Sequence, residues 1–149
     1  MMGRISETVR SGGGEVMGII PGALLAREGG RAELEELRIV RSMHERKAMM
    51  VEMSDGFIAL PGGFGTFEEF CEIVTWAQLG LHAKPVGLLN IEGYFDPLIL
   101  QFDRAVFEGF AHPDNHSLIL HESDSGRLLD LMESYEPPAV EQWIDPDES

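Results

Sequence analysis

The chain has 149 residues, 44% of them hydrophobic, which suits one domain with a sizeable core. Its formal net charge of −15, with no basic run, argues against a nucleic-acid partner, because neutralising phosphates takes clustered Lys and Arg. A single cysteine excludes an intrachain disulfide and a multi-cysteine metal site, and no stretch reaches the ~20 apolar residues of a membrane span.

Met1 to Arg10 reads as a helix, with Ile5 and Val9 four residues apart. Gly12-Gly13-Gly14 follows, either a phosphate loop or, as the better reading, a helix C-cap turning into the next strand. Glu15 to Ile20 is a strand closed by Pro21-Gly22. Ala23 to Ala32 reads as a loop carrying Arg27 and Glu28 at that strand's carboxyl end, where open α/β sheets hold ligands. A short strand lies within Leu34 to Val40. Ser42-x-x-Glu45 is a capping box that opens a helix, its two side chains satisfying free N–H groups reciprocally. Arg46 then falls on or beside the stripe of Met49, Met50 and Met53. A snorkelling arginine and an anion ligand both fit that position.

The segment Phe57 to Glu69 is the organising stretch. Phe57-Ile58-Ala59-Leu60 has no polar alternation and is expected to be a strand covered on both faces. Pro61 stops it, having no N–H for a ladder. Gly62, Gly63 and Gly65 let the backbone turn tightly and approach a ligand. The helix that follows points its unsatisfied N–H groups and positive dipole end into the loop, which favours a phosphate or carboxylate. The Thr66 hydroxyl serves as a cap or reaches the anion. Within this helix Glu69 aligns with Ile73, Trp76 and Gly80, so it is expected to point inward. Glu68 aligns with Glu72 and Thr75 on a polar face and suits the helix dipole. Cys71 lies among Phe70, Ile73 and Val74 and reads as a buried structural thiol; Trp76 reads as core.

Val86 to Asn90 is another buried strand and Glu92-Gly93-Tyr94 a turn. Phe95 to Phe110 is an amphipathic helix. His112, His116 and His121 read as a polar rim and not a metal site. Ser117 to His121 is a short strand, Gly126 to Tyr135 a short helix, and residues 136–149 an acidic, mobile tail. Strands alternating with helices predict an α/β, Rossmann-like open parallel sheet with helices on both faces. With no internal repeat and no linker, residues 1–135 read as one nucleotide-binding domain.

Pro61-Gly62-Gly63-x-Gly65-Thr66-x-x-Glu69 resembles the signature of the LOG ("Lonely Guy") family of cytokinin riboside 5′-monophosphate phosphoribohydrolases, often labelled lysine decarboxylases. Two further stretches share the resemblance: Ser42-Met43-His44-Glu45-Arg46-Lys47, and Thr75 to Gly80 continuing through Lys84 to Asn90. It covers about Met2 to Glu122. Family members begin with a strand, a helix and a second strand ending in a glycine-rich phosphate loop, all before the residues that resemble Met2-Gly3. The present sequence starts at that point and reads as N-terminally shortened, with its N-terminal strands missing. It is accordingly expected to be less soluble than a longer form.

The resemblance implies an N-glycosyl hydrolase acting on a nucleoside 5′-monophosphate, AMP or an N6-prenylated AMP, and releasing free base and ribose 5-phosphate. Such chemistry needs a carboxylate for an oxocarbenium-like sugar and an anchor for the 5′-phosphate. The resemblance gives the catalytic roles to Arg46 and Glu69. It gives substrate binding to Lys47, Gly62, Gly63, Gly65 and Thr66, with Glu68 beside them, Glu28 contacting substrate and Met43 flanking the base. No cofactor and no metal is expected. The implied assembly is a homodimer or higher homo-oligomer. Without a signal-peptide pattern a cytoplasmic protein is the expectation. The alternative is a non-catalytic nucleotide-binding module of the same fold. Lysine decarboxylation fits poorly, because no lysine has surroundings that suggest a Schiff base.

Overall fold

The computed structural model describes residues 2–27 and 36–138. The chain divides into two compact units, Met1–Ser54 and Asp55–Ser149. Glu28, the second half of the expected loop around it, and the tail from residue 139 onward lie outside the described residues.

In the first unit, helix α1 (Met2–Ser11) ends at the glycine triplet. Gly13 takes a left-handed φ of +83°. Its N–H donates to the Arg10 carbonyl and the Gly14 N–H to the Val9 carbonyl. That pair of bonds closes a Schellman cap, so the triplet is a helix end and not a phosphate loop. Strand β1 (Met17–Pro21) pairs in parallel with β2 (Glu36–Val40), Met17 opposite Glu36 and Pro21 opposite Val40. Between them, Gly22–Arg27 forms a short helix, α2, where a loop was expected. The run Ala23-Leu24-Leu25-Ala26 consists of good helix formers, and this preference outweighs the loop reading drawn from Pro21-Gly22. Helix α3 (Met43–Met53) packs on β1 and β2. Its start is capped by Ser42 Oγ, which accepts the Glu45 N–H at 3.1 Å. The returning bond differs from a standard box: Glu45 Oε2 accepts from the Arg41 N–H at 2.7 Å, one residue outside the cap.

In the second unit, strands β3 (Phe57–Ala59), β4 (Val86–Leu89) and β5 (Ile119–Glu122) form a parallel sheet in the order β3-β4-β5. Helices α4 (Phe64–Gln78), α5 (Asp96–Phe107) and α6 (Ser125–Glu133) flank it. Side chains alternate along β4. Val86 and Leu88 join Phe70 of α4 and Phe95, the residue before α5, in the buried core on one face. Gly87 faces Leu128 of α6 on the other. Parallel sheets flanked by helices make the fold α/β and Rossmann-like. Among the described residues, strand pairing within the first unit is β1-β2 and within the second β3-β4-β5.

The expectation that Phe57 to Leu60 is covered on both faces is corrected. Phe57 and Ala59 pack on the core, but Ile58 on the opposite face is 42% exposed. β3 is the edge strand and only three residues long, so α6, which packs over β4 and β5, leaves Ile58 open. Uniformly apolar strands are buried on both sides only in the middle of a parallel sheet, and that place belongs to β4. Helix α5 also stops short of Phe110: Gly109 has φ +78°, and Phe110 beyond it is 88% exposed. No helix among the described residues is long and apolar enough to cross a membrane.

Candidate functional site

The glycine loop lies between the carboxyl end of β3 and the first turn of α4. Gly63 is the N-cap of α4, in an extended conformation (φ −96°, ψ −158°), and no side chain caps the helix. The N–H groups of Thr66 and Phe67 both donate to the Gly63 carbonyl, at 3.0 and 3.3 Å. Phe64 and Gly65 supply the earlier first-turn N–H groups, which a helix leaves without an intrahelical acceptor. Gly63, Phe64 and Gly65 are exposed. This end of α4 therefore presents backbone donors and a partial positive charge to solvent, the arrangement that accepts a phosphate.

The glycines of this loop differ in what requires them. None of the three has a left-handed φ. At Gly62, a Cβ would collide with Thr66 Oγ1 and lie 3.0 Å from Thr66 Cβ. The threonine hydroxyl thus leans on Gly62 and is not a helix cap. At Gly63 and Gly65 a Cβ would meet nothing within 4 Å. Nothing in their own surroundings explains glycine there, whereas close approach of a ligand to the backbone would.

Glu69, one turn into α4, is half-buried, and Glu68 beside it is exposed. Glu72, assigned from sequence to the polar face, is half-buried and shields its Oε2 from solvent. The spacing Glu69-x-x-Glu72 was the available signal, since residues three apart share a helix face. Tyr94 reads from sequence only as part of a turn, yet its hydroxyl donates to the Gly62 carbonyl at 2.6 Å. Separations of this kind, 32 residues along the chain, leave no trace in local periodicity.

In the first unit, Met43, Arg46 and Lys47 share one face of α3 by their spacing. Arg46 is half-buried, and its Nε donates to the Ile19 carbonyl of β1 at 3.0 Å. Lys47 is buried, at 9% exposure, and Met43 is exposed. Gly62, Gly63, Gly65, Thr66, Glu68 and Glu69 are brought together on the loop and first turns of α4 in the second unit.

The reading of Cys71 as buried is corrected: it is exposed. With Phe102 and His116 it lines a cleft of about 170 Å3 among α4, α5 and the turn Pro113–Leu118, which shares no residue with the glycine loop. Desolvation by the cleft around it, then the neighbouring Glu68 charge, raise its thiol pKa, which disfavours the nucleophilic thiolate. His116 pairs with Asp103 at 2.7 Å, and His112 accepts the Asp114 N–H at 3.4 Å as cap of the 113–118 turn. Among the described residues no group of three or more His, Cys, Asp or Glu is arranged to hold a metal ion.

The profile of the family described as "Possible lysine decarboxylase" matches residues 2–132. The chain belongs to this family. It is 50% identical over 137 residues to the probable cytokinin riboside 5′-monophosphate phosphoribohydrolase LOGL9 of Oryza sativa subsp. japonica, covering 92% of this chain and 60% of that protein. It is 51% identical over 135 residues to LOGL1 of the same plant, a protein of the same description, covering 91% and 60%. It is 48% identical over 137 residues to the cytokinin riboside 5′-monophosphate phosphoribohydrolase LOG2 of Arabidopsis thaliana, covering 92% and 64%. The chain therefore spans less than two thirds of the length of these family relatives.

Proposed function

We propose that this chain carries the anion loop and acidic helix of an N-glycosyl hydrolase. The enzyme cleaves a nucleoside 5′-monophosphate, AMP or an N6-prenylated AMP, to free base and ribose 5-phosphate. The observation that carries the reading is the uncapped start of α4, where Gly63 and Gly65 face open space beside exposed backbone donors. It is supported by relatives near 50% identity that are named phosphoribohydrolases.

In this proposal the loop and Thr66 hold the 5′-phosphate, so that binding energy far from the reacting bond positions the ribose. Glu69 stabilises the oxocarbenium-like sugar or orients the attacking water. Arg46 acts with it as the second catalytic residue. Lys47, Glu68, Glu28 and Met43 contribute to substrate binding. Residues 1–135 act as one nucleotide-binding domain, and the protein works in the cytoplasm as a homodimer or higher homo-oligomer. Leu100, Phe107 and Phe110, apolar and exposed, support the last point.

The test is chromatography of the products after incubation with AMP and isopentenyl-AMP, beside a form extended to the length of its relatives. Release of adenine or isopentenyladenine with ribose 5-phosphate is expected. A thermal shift on adding AMP with no free base would make the protein a binding module instead.

A further inference from the structure

We infer that Tyr94 is a positioning residue for the anion loop, holding the Gly62–Gly63 peptide in the orientation that nucleotide phosphate needs. The inference rests on the proposal that this loop binds phosphate.

Two successive glycines make the peptide between them the softest in the loop, because neither has a Cβ to restrict rotation. Gly62 has to be glycine, since any Cβ there would collide with Thr66. The loop thus gains room for its turn at the cost of a freely rotating peptide. The Tyr94 O–H offsets that cost by donating to the Gly62 carbonyl at 2.6 Å. In a planar trans peptide the carbonyl and the following N–H point in opposite directions. Fixing the Gly62 carbonyl therefore fixes the Gly63 N–H, the last donor before the helix. A donor already aimed loses less freedom when an anion arrives.

Tyr94 is itself held from below. Its ring meets Phe95 edge-to-face, with centroids 5.1 Å apart at 86°, and Phe95 is completely buried. Asn90 secures the turn: its Oδ1 accepts the Phe95 N–H and its Nδ2 donates to Asp96 Oδ1, both at 2.7 Å. Glu92 and Gly93 are both left-handed, at φ +53° and +71°, which delivers Tyr94 beneath the loop. Tyr94 is 47% exposed and so lies outside the buried core. Its bond acts on the loop.

The test is Tyr94→Phe, which keeps the ring and removes the donor. The expected result is a KM for AMP, and a Kd for ribose 5-phosphate, raised about tenfold, ~1.4 kcal/mol, the upper end of what one neutral hydrogen bond supplies. The kcat and the Tm are expected to stay near wild type. Tyr94→Leu is expected to lose Tm as well, because the contact with Phe95 goes with the ring. A lowered Tm for Tyr94→Phe with unchanged KM and Kd would overturn the inference and leave the hydroxyl a structural role. So would equal ribose 5-phosphate affinity in wild type and Tyr94→Phe, including no binding by either. Absence of base release by wild type, with the Kd difference present, would overturn the hydrolase proposal and leave Tyr94 in place.

Discussion

Gly62 and Thr66 meet at the first turn of α4, the threonine hydroxyl standing within clashing distance of any Cβ at residue 62. Glycine is thus required at 62 by the fold. At 65, where a Cβ meets nothing, any requirement comes from a ligand. Gly65→Ala is therefore expected to leave Tm unchanged or raise it, because alanine stabilises a helix by about 0.5–1 kcal/mol over glycine. It is also expected to weaken AMP turnover by about 10²-fold, the loss that follows an ångström-scale misplacement of substrate. Gly62→Ala is expected to lose both stability and activity. Thermal melts beside steady-state kinetics separate the two.

Leu128 is the side chain that completes the sheet's second face. A Cβ at Gly87 would come within 3.0 Å of Leu128 Cδ1, and Leu128 is fully buried, so an added methyl group forces a packed side chain to shift. Gly87→Ala should cost about 1–3 kcal/mol by overpacking. Leu128→Ala should cost about 2–5 kcal/mol through the cavity it leaves. Urea denaturation of each variant checks both values, and neither change touches the glycine loop.

His82 makes stability pH-dependent. Its Nδ1 accepts the Lys84 N–H at 3.2 Å and its Nε2 lies 2.9 Å from the Ile73 carbonyl, so the neutral ring protonated on Nε2 satisfies both. Burial, then the Lys84 charge, lower its pKa below the ordinary 6.5, against an opposing effect of the Ile73 carbonyl. The folded ring therefore takes up its proton at lower pH than the unfolded one. Its stabilising contribution is full above about pH 6.5 and falls as the pH drops toward the folded pKa. Melts between about pH 5 and pH 7 should show Tm falling with acid, and a shallower fall for His82→Gln.

The local devices of this fold were legible because each is a short-range pattern. Ser42 caps α3, the glycine triplet closes α1, and the buried strand read over Val86 to Asn90 is β4, one residue shorter. What was not legible depends on neighbours distant in sequence. Ile58 looked buried because its own residues are apolar, but an edge strand lacks cover on one face. Cys71 looked buried for the same reason, and it lines a cleft whose other wall, Phe102 and His116, comes from 31 and more residues away. α2 is masked in the sequence by Pro21-Gly22, a strand-ending turn signal directly before the helix formers Ala23 to Ala26. At the site, the motif from Pro61 to Glu69 was visible at once. The tie from Tyr94 and the half-burial of Glu72 were not, since both depend on how turns of α4 and the loop after β4 meet.

The proposed role of Glu69, half-buried one turn beyond the open anion loop, is in cleaving the base from a mononucleotide. Its most direct test compares Glu69→Gln with Glu68→Gln, each changing one carboxylate to its neutral isostere. Base release from AMP or isopentenyl-AMP is followed by chromatography in the form that shows activity. Removing a preorganised charge from the reacting centre costs about 10²–10³ in rate, so Glu69→Gln should fall by at least that much while Glu68→Gln stays largely active. Equal rates for wild type and Glu69→Gln would contradict that role.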